Sequence, residues 1–305
     1  MQVSRVFAFV LLACSAAGAD DAIQARPKSS ADILAASAPG DWRALDLENT
    51  LYLDFARGRV VIELAPAFAP EHVANIKALV REKYFDGLAI LRSQDNYVVQ
   101  WGDPQEDEKK RKPYKTAKHG LAAAEYFAPL AGLPFTPLPD GDVYAPEVGY
   151  SNSLPAARDA KRGQVWLAHC YGMVGVGRGN PPDKGDGSEL YVVNGHAPRH
   201  LDRNLAVVGR VMQGMDLLSS LPRGHGPLGF YEKAQERVTI RSIRVAADLP
   251  AKQRTVLEVL RTDTETFAAY LEARRNRHEE FFVEPTGRIE LCNVPIPVRT
   301  AKAAP

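Results

Sequence analysis

Short β-rich runs set off by glycine and proline, with only two stretches at helical spacing, constrain this 305-residue chain more than any other feature. Residues 51–55 and 59–64 flank Ala56-Arg57-Gly58, the spacing of a hairpin. Further strand signals stand at 164–168, 188–193, 205–211 and 237–245. Val73, Ile76, Leu79 and Val80 share one helical face until Asp86-Gly87 stops the helix, and 214–221 reads as a short second helix. A doubly wound sheet needs a repeating strand and helix alternation, which this order lacks. The expected fold is mainly β, a closed antiparallel barrel with two helices.

The segments outside that pattern read differently. Residues 20–48, rich in Ala, Ser, Pro and Asp, read as a linker or arm ahead of a folded domain at 49–248. Within the domain, 105–163 carries a charged run at 106–112 and many prolines between 129 and 155, and reads as a long surface insertion without core elements. Residues 249–305 form an extension in which 251–278 reads as a charged helical stretch.

At the N-terminus, Arg5, the apolar run 6–13 and Ala17-Gly18-Ala19 have the three-part organisation of a signal peptide spanning 1–19. The expected mature chain starts at Asp20 and is periplasmic or secreted. A competing reading takes Leu11-Leu12-Ala13-Cys14 as a lipoprotein site, with membrane anchoring through a lipidated Cys14. After processing, Cys170 and Cys292 remain, and they either form one disulfide or stay as two buried thiols. A formal charge of +1 asks for neither nucleic acid nor an anionic membrane as partner.

Several motifs invite chemistry that their surroundings do not support. Gly175-Val176-Gly177-Arg178-Gly179 lacks the phosphate-loop spacing and runs into Pro181-Pro182 where a helix would have to start, so it reads as a flexible loop. His196 and His200 are spaced like metal ligands on a helix, but Pro198 lies between them and no third ligand clusters nearby. No Gly-x-Ser-x-Gly elbow occurs. The chain is expected to work without a nucleophile, metal or organic cofactor.

Taken together, Arg92, Gln100, the Ala168-His169 pair, 187–191 and 200–205 resemble, in order and spacing, the active-site segments of cyclophilin-type peptidyl-prolyl isomerases. The resemblance runs over about residues 51–245. In that family an arginine in Phe-His-Arg is followed, eight positions on, by Gln-Gly-Gly-Asp; here Ile90-Leu91-Arg92 is followed by Gln100-Trp101-Gly102-Asp103. The family's Gly-Ser-Gln-Phe-Phe appears as Gly187-Ser188-Glu189-Leu190-Tyr191. Its Trp-Leu-Asp and Val-Phe-Gly-(Lys/Arg)-Val appear as His200-Leu201-Asp202 and Val207-Val208-Gly209-Arg210-Val211.

The resemblance implies an eight-stranded closed antiparallel barrel capped by two helices. It also implies isomerase activity on proline-containing unfolded or extended polypeptides, which the signal-like N-terminus makes part of extracytoplasmic protein folding. Arg92 would donate to the prolyl nitrogen, with Gln100 beside it. Tyr97, Val98, Tyr191, Leu201 and Leu205 would wall the proline pocket; Ala168 and His169 would hold substrate peptide groups through their backbone, with Glu189 and His200 at the groove. The chain departs from the family at Leu91 and Leu205, each for a histidine, at Glu189 for a glutamine and at His200 for a tryptophan. A carboxylate at 189 is expected to pair with Arg92 and compete with its donor role. A second reading is a catalytically weak module that binds proline-containing peptides as a chaperone or assembly partner.

Overall fold

The computed structural model describes residues 27–105 and 107–301. The signal segment and the Cys14 alternative lie outside the described residues, as does Glu106 of the charged run.

The stretch read as a linker is structured from its first described turns. Helix α1 (Ser30–Ala35) is capped by Ser29, whose hydroxyl accepts from the Asp32 N–H while the Asp32 carboxylate accepts from the Ser29 N–H. Strand β1 (Trp42–Ala44) follows, with Trp42 buried. Strands β2 (Thr50–Phe55) and β3 (Gly58–Leu64) form the expected hairpin, Phe55 opposite Gly58. Helix α2 (Pro70–Arg81) begins on a proline, whose missing N–H is harmless in a first turn. The next two N–H groups, of Glu71 and His72, donate to the Glu125 carboxylate at 2.8 and 2.9 Å.

After β4 (Ala89–Ser93) and β5 (Tyr97–Gly102), the segment expected to be a surface excursion builds a sheet of its own. Its strands are β6 (Ala128–Pro129), β7 (Thr136–Leu138), β8 (Glu147–Ser151), β9 (Leu154–Asp159) and β10 (Gln164–Leu167), in the order β6-β10-β9-β8-β7. Pro129 and Pro137 sit on the two edge strands, where a missing N–H breaks no outer ladder, while Pro155 is the second residue of β9, inside the sheet.

Strand β11 (Met173–Val176) occupies part of the segment expected to be a flexible glycine loop. Strands β12 (Leu190–Asn194) and β13 (Val207–Gln213), the short helix α3 (Met215–Ser219) and strand β14 (Val238–Val245) complete the barrel region. The stretch 251–278, expected to be helical, contains β15 (Leu257–Leu260) before α4 (Glu265–Arg275), and the extension beyond it carries β16 (Val298–Thr300). β15 is a strand because it finds partners on both sides, in the sheet β1-β15-β16. The N-terminal and C-terminal segments thus share one sheet.

Eight strands close an antiparallel barrel in the order β11-β12-β5-β4-β14-β2-β3-β13, with β13 returning to β11. Side chains along β2 and β3 alternate between two cores. Leu51, Leu53, Phe55, Val60, Ile62 and Leu64 join Val73, Ile76 and Leu79 of α2 in the barrel core. Tyr52 and Val61 point the other way, into a core shared with Trp42, Tyr150, Trp166 and Phe267. Burial on both faces explains why these strands read as nearly unbroken apolar runs.

Covalent and ionic ties join the outer layer to the barrel. Arg43 of β1 makes a two-pronged bond to Glu63 of β3 at 2.6 and 2.9 Å, and reaches the Asn152 carbonyl at 2.8 Å. Cys170 and Cys292 form a disulfide with a Cα separation of 4.9 Å, which decides between the two cysteine readings.

Candidate active site

A bulge between Ile90 and Arg92 shifts the pairing of β4 with β5, so that Ile90 faces Trp101 while Arg92 faces Gln100. Bulges of this kind re-aim single side chains. Arg92 is thereby turned to the groove and then held on three sides. Its Nε donates to the Leu228 carbonyl at 2.6 Å, one Nη to Gln100 Oε1 at 2.9 Å and the other Nη to Gln94 Oε1. A guanidinium has five N–H groups, so one on each Nη is left without a partner among the described residues. The cation also lies over the rings of Tyr97 and Phe230, at 5.4 and 5.3 Å from their centroids. Burial draws its pKa down from the ordinary arginine value, with Tyr97 and Glu189 acting in the opposite sense.

Glu189 does not pair with Arg92, contrary to the sequence expectation. Gln100 stands between them, its amide nitrogen donating to Glu189 Oε1 while its carbonyl oxygen accepts from Arg92. A carboxylate only accepts, so this order fixes which way the Gln100 amide faces. Gly102 makes room for the arrangement, since a Cβ there would lie 3.1 Å from Glu189 Cγ.

Next to the arginine is a cavity of about 130 Å3. Tyr97, Val98, Tyr191, Leu201 and Leu205 line it together with Arg92, Gln100 and Glu189, so eight residues expected from sequence meet in one place. Val98, Tyr191 and Val193 form a small apolar cluster of their own, with Tyr97 and Leu205 packed against it. Tyr191 is 4 % exposed, and burial raises the pKa of its hydroxyl. Gly175 lies behind its ring; a Cβ there would come within 2.3 Å of the phenol.

Three expected residues fall elsewhere. Ala168 and His169 are buried and absent from the cavity wall; the Ala168 N–H donates to the Pro155 carbonyl at 3.0 Å and not toward the groove. Their segment continues β10 of the outer sheet, which is why their backbone faces away. The wall position expected for them is taken by Gly177 and Arg178, at the end of β11 beside the start of β12. His200 is exposed at the rim, its ring parallel to that of Tyr97 with 6.4 Å between centroids.

Sequence reasoning also missed Gln94, Leu228 and Phe230. Gln94 lies two residues from Arg92 in the β4–β5 turn, a local signal that was available. Leu228 and Phe230 are brought in by the segment 222–231, which returns to bond Ser93 and Leu91 through the N–H groups of Gly224 and Tyr231. No local pattern announces that contact.

A closed antiparallel barrel presenting a fixed cation beside a small pocket walled by Tyr97, Val98, Tyr191, Leu201 and Leu205 is suited to noncovalent recognition of an apolar group. Comparison with known proteins agrees. The sequence profile described as cyclophilin type peptidyl-prolyl cis-trans isomerase/CLD matches residues 50–245. A probable peptidyl-prolyl cis-trans isomerase of Brucella suis is 29% identical over 181 residues, covering 59% of this chain and 75% of that one. A putative thylakoid lumen peptidyl-prolyl cis-trans isomerase of Synechocystis is 24% identical over 186 residues, covering 57% of this chain and 44% of that one. The crystal structure of a cyclophilin from Hirschia baltica superposes with a TM-score of 0.67 at 25% identity, over 90% of this chain and 99% of that one. The chain belongs to the cyclophilin-type peptidyl-prolyl cis-trans isomerases, and its activity is the rotation of Xaa-Pro peptide bonds.

Proposed function

We propose that this isomerase acts outside the cytoplasm on unfolded or extended proline-containing polypeptides, with Arg92 as the group that recognises the twisted amide. The observation that carries the site assignment is the pair of unpartnered N–H groups on an otherwise immobilised Arg92, next to an apolar pocket.

Rotation about an Xaa-Pro bond meets a barrier of about 18 to 20 kcal/mol because amide conjugation is lost on the way. Only interactions stronger in the twisted state than in either planar isomer lower that barrier, tenfold in rate for every ~1.4 kcal/mol. When conjugation breaks, the prolyl nitrogen recovers its lone pair and becomes an acceptor. Arg92 offers a donor there only to the twisted state, and its three protein partners mean that little reorganisation is needed. Tyr97, Val98, Tyr191, Leu201 and Leu205 hold the ring, and the low dielectric of that wall strengthens the arginine's bond. Gln100 orients the guanidinium, and Glu189 orients Gln100.

A protease-coupled assay on an Ala-Xaa-Pro peptide tests this directly. Wild type accelerates isomerisation, and Arg92→Ala lowers kcat/KM by roughly 10²- to 10³-fold, the usual effect of removing one donor to developing charge. A variant retaining wild-type turnover would remove Arg92 from the mechanism.

The extracytoplasmic assignment is supported by the signal-like organisation of residues 1–19, by a disulfide of the kind that persists in oxidising compartments, and by a relative described as a thylakoid lumen protein. Mass spectrometry of the cellular protein is expected to find Asp20 as its first residue. A chain retaining Met1 in the cytoplasm would refute the assignment, and a diacylated Cys14 would change it to membrane anchoring.

A further inference from the structure

His169 is absent from the groove wall, yet its ring reaches the groove from behind. Its Nε2 lies 2.9 Å from the Tyr191 hydroxyl and its Nδ1 2.8 Å from Asp202 Oδ1. The carboxylate only accepts, so Nδ1 carries a proton, and in the neutral imidazole Nε2 then accepts from the Tyr191 hydroxyl. Asp202 is filled on every side: Oδ1 also takes the His169 backbone N–H at 3.0 Å, and Oδ2 takes Arg199 Nε at 2.6 Å and Trp166 Nε1 at 3.3 Å. Arg199 continues to Asp142, in the turn between β7 and β8, at 2.8 and 3.2 Å. The chain of bonds Tyr191–His169–Asp202–Arg199–Asp142 therefore runs from the pocket to the outer sheet. His169 is 1 % exposed and Arg199 3 %, so these bonds do not compete with solvent.

We propose that His169 and Asp202 are a positioning pair that fixes the floor and one wall of the proline pocket together, so that residues outside the barrel set its affinity for Xaa-Pro segments. The floor is Tyr191, pinned between Gly175 behind its ring and His169 at its hydroxyl. The wall is the turn carrying Leu201 and Leu205, and Asp202 lies in that same turn with its side chain directed inward. One carboxylate thus holds both surfaces in register. The phenylalanine of the family's matching segment has no hydroxyl to hold, so the tyrosine here makes a coupling that an apolar ring does not. The pair touches no substrate, and its effect passes through Tyr191 and the turn.

The inference rests on the groove being the isomerase site, and its test reads binding beside turnover so that the two fail separately. Peptide Kd by calorimetry and kcat and KM by the coupled assay are measured for wild type, His169→Phe, Tyr191→Phe, the double variant and His169→Gln. Each single Phe variant is expected to weaken Kd and raise KM by about three- to tenfold, the range of one buried hydrogen bond. The double variant is expected to be no weaker than His169→Phe, because that variant already removes the contact that Tyr191→Phe removes. His169→Gln, which keeps an acceptor for the hydroxyl, recovers most of the affinity. Unchanged Kd in His169→Phe, or losses that multiply in the double variant, would overturn the proposal. Should His169→Phe fail to fold, Tyr191→Phe decides alone: it must weaken Kd and shift the His169 imidazole resonances, and unchanged binding refutes the pair. A failure of the isomerase reading shows instead as absent turnover in wild type.

Discussion

Arg92 illustrates how far a single residue depends on others to become an instrument. An exposed arginine samples many rotamers and contributes little; here two acceptors from its own hairpin and one from the segment 222–231 fix it, and two donors remain. Arg92 and Gln100 were legible in sequence because their eight-residue interval matches the family's motif, an interval that the β4–β5 hairpin realises in the fold. Glu189 was legible as a groove residue, but its partner was not, since an acceptor at the groove can meet either the arginine or the amide and only geometry chooses. Asp202 offers a pH test at the same scale. Burial pushes its carboxyl up, but the His169 hydrogen bond and the Arg199 charge outweigh burial and leave it below the usual value. A depressed folded-state pKa contributes stability that is fully present above the unfolded value, about 3.9, and is lost as pH falls through the folded value. Asp202→Asn is expected to cost about 3 to 5 kcal/mol at pH 7, the penalty for breaking a buried pair. In urea titrations the gap from wild type should narrow below about pH 4; a gap independent of pH would show that ionisation of Asp202 does not contribute.

Among the elements, the β2–β3 hairpin was legible, whereas the hairpins of the outer sheet and the segment 222–231 were not. Strands β2 and β3 follow from two apolar, β-rich runs around a short turn, and α2 from four apolar residues on one face. Strand β11 was misread because glycine was taken as a sign of flexibility, whereas Gly175 is there for the Tyr191 ring. The segment 222–231 has no periodicity, and its structure comes from contacts with β4. Gly229 is its critical point: it takes φ +78°, and a Cβ would lie 2.6 Å from Gln94 Cα. Gly229→Ala is expected to lift the Leu228 carbonyl from Arg92, lowering kcat/KM about tenfold at a cost of about 1 to 3 kcal/mol in stability. Kinetics and thermal melts on the same preparation check both numbers; full activity would mean that this segment does not hold the arginine.

At the scale of the molecule, two cores share the barrel strands, and the outer one is assembled from pieces far apart in sequence. Residues 27–48, the sheet β6–β10 and the tail after β14 cover the outward faces of β2, β3 and β13. The Cys170–Cys292 disulfide links positions 122 residues apart and ties that tail to the segment carrying His169. Closing so long a loop restricts the unfolded chain, by up to about 5 kcal/mol on the entropic account. Cys292→Ser is expected to lose about 3 to 5 kcal/mol in denaturant unfolding. Reductant should destabilise wild type and leave the variant unaffected; a wild type indifferent to reductant would remove the disulfide from the stability of the fold.

The sequence by itself determined the barrel and the helix α2, because strand and helix patterns are local properties that survive in one dimension, and it located the arginine-centred groove through ordered segments that match the family's. Only the tertiary structure decided the outer sheets, the Gln100 spacer between Glu189 and Arg92, the strap formed by 222–231 and the place of His169 behind Tyr191. Each depends on which distant segment supplies a partner for a buried polar group or an unpaired strand edge. That choice is made by packing, and no local periodicity encodes it.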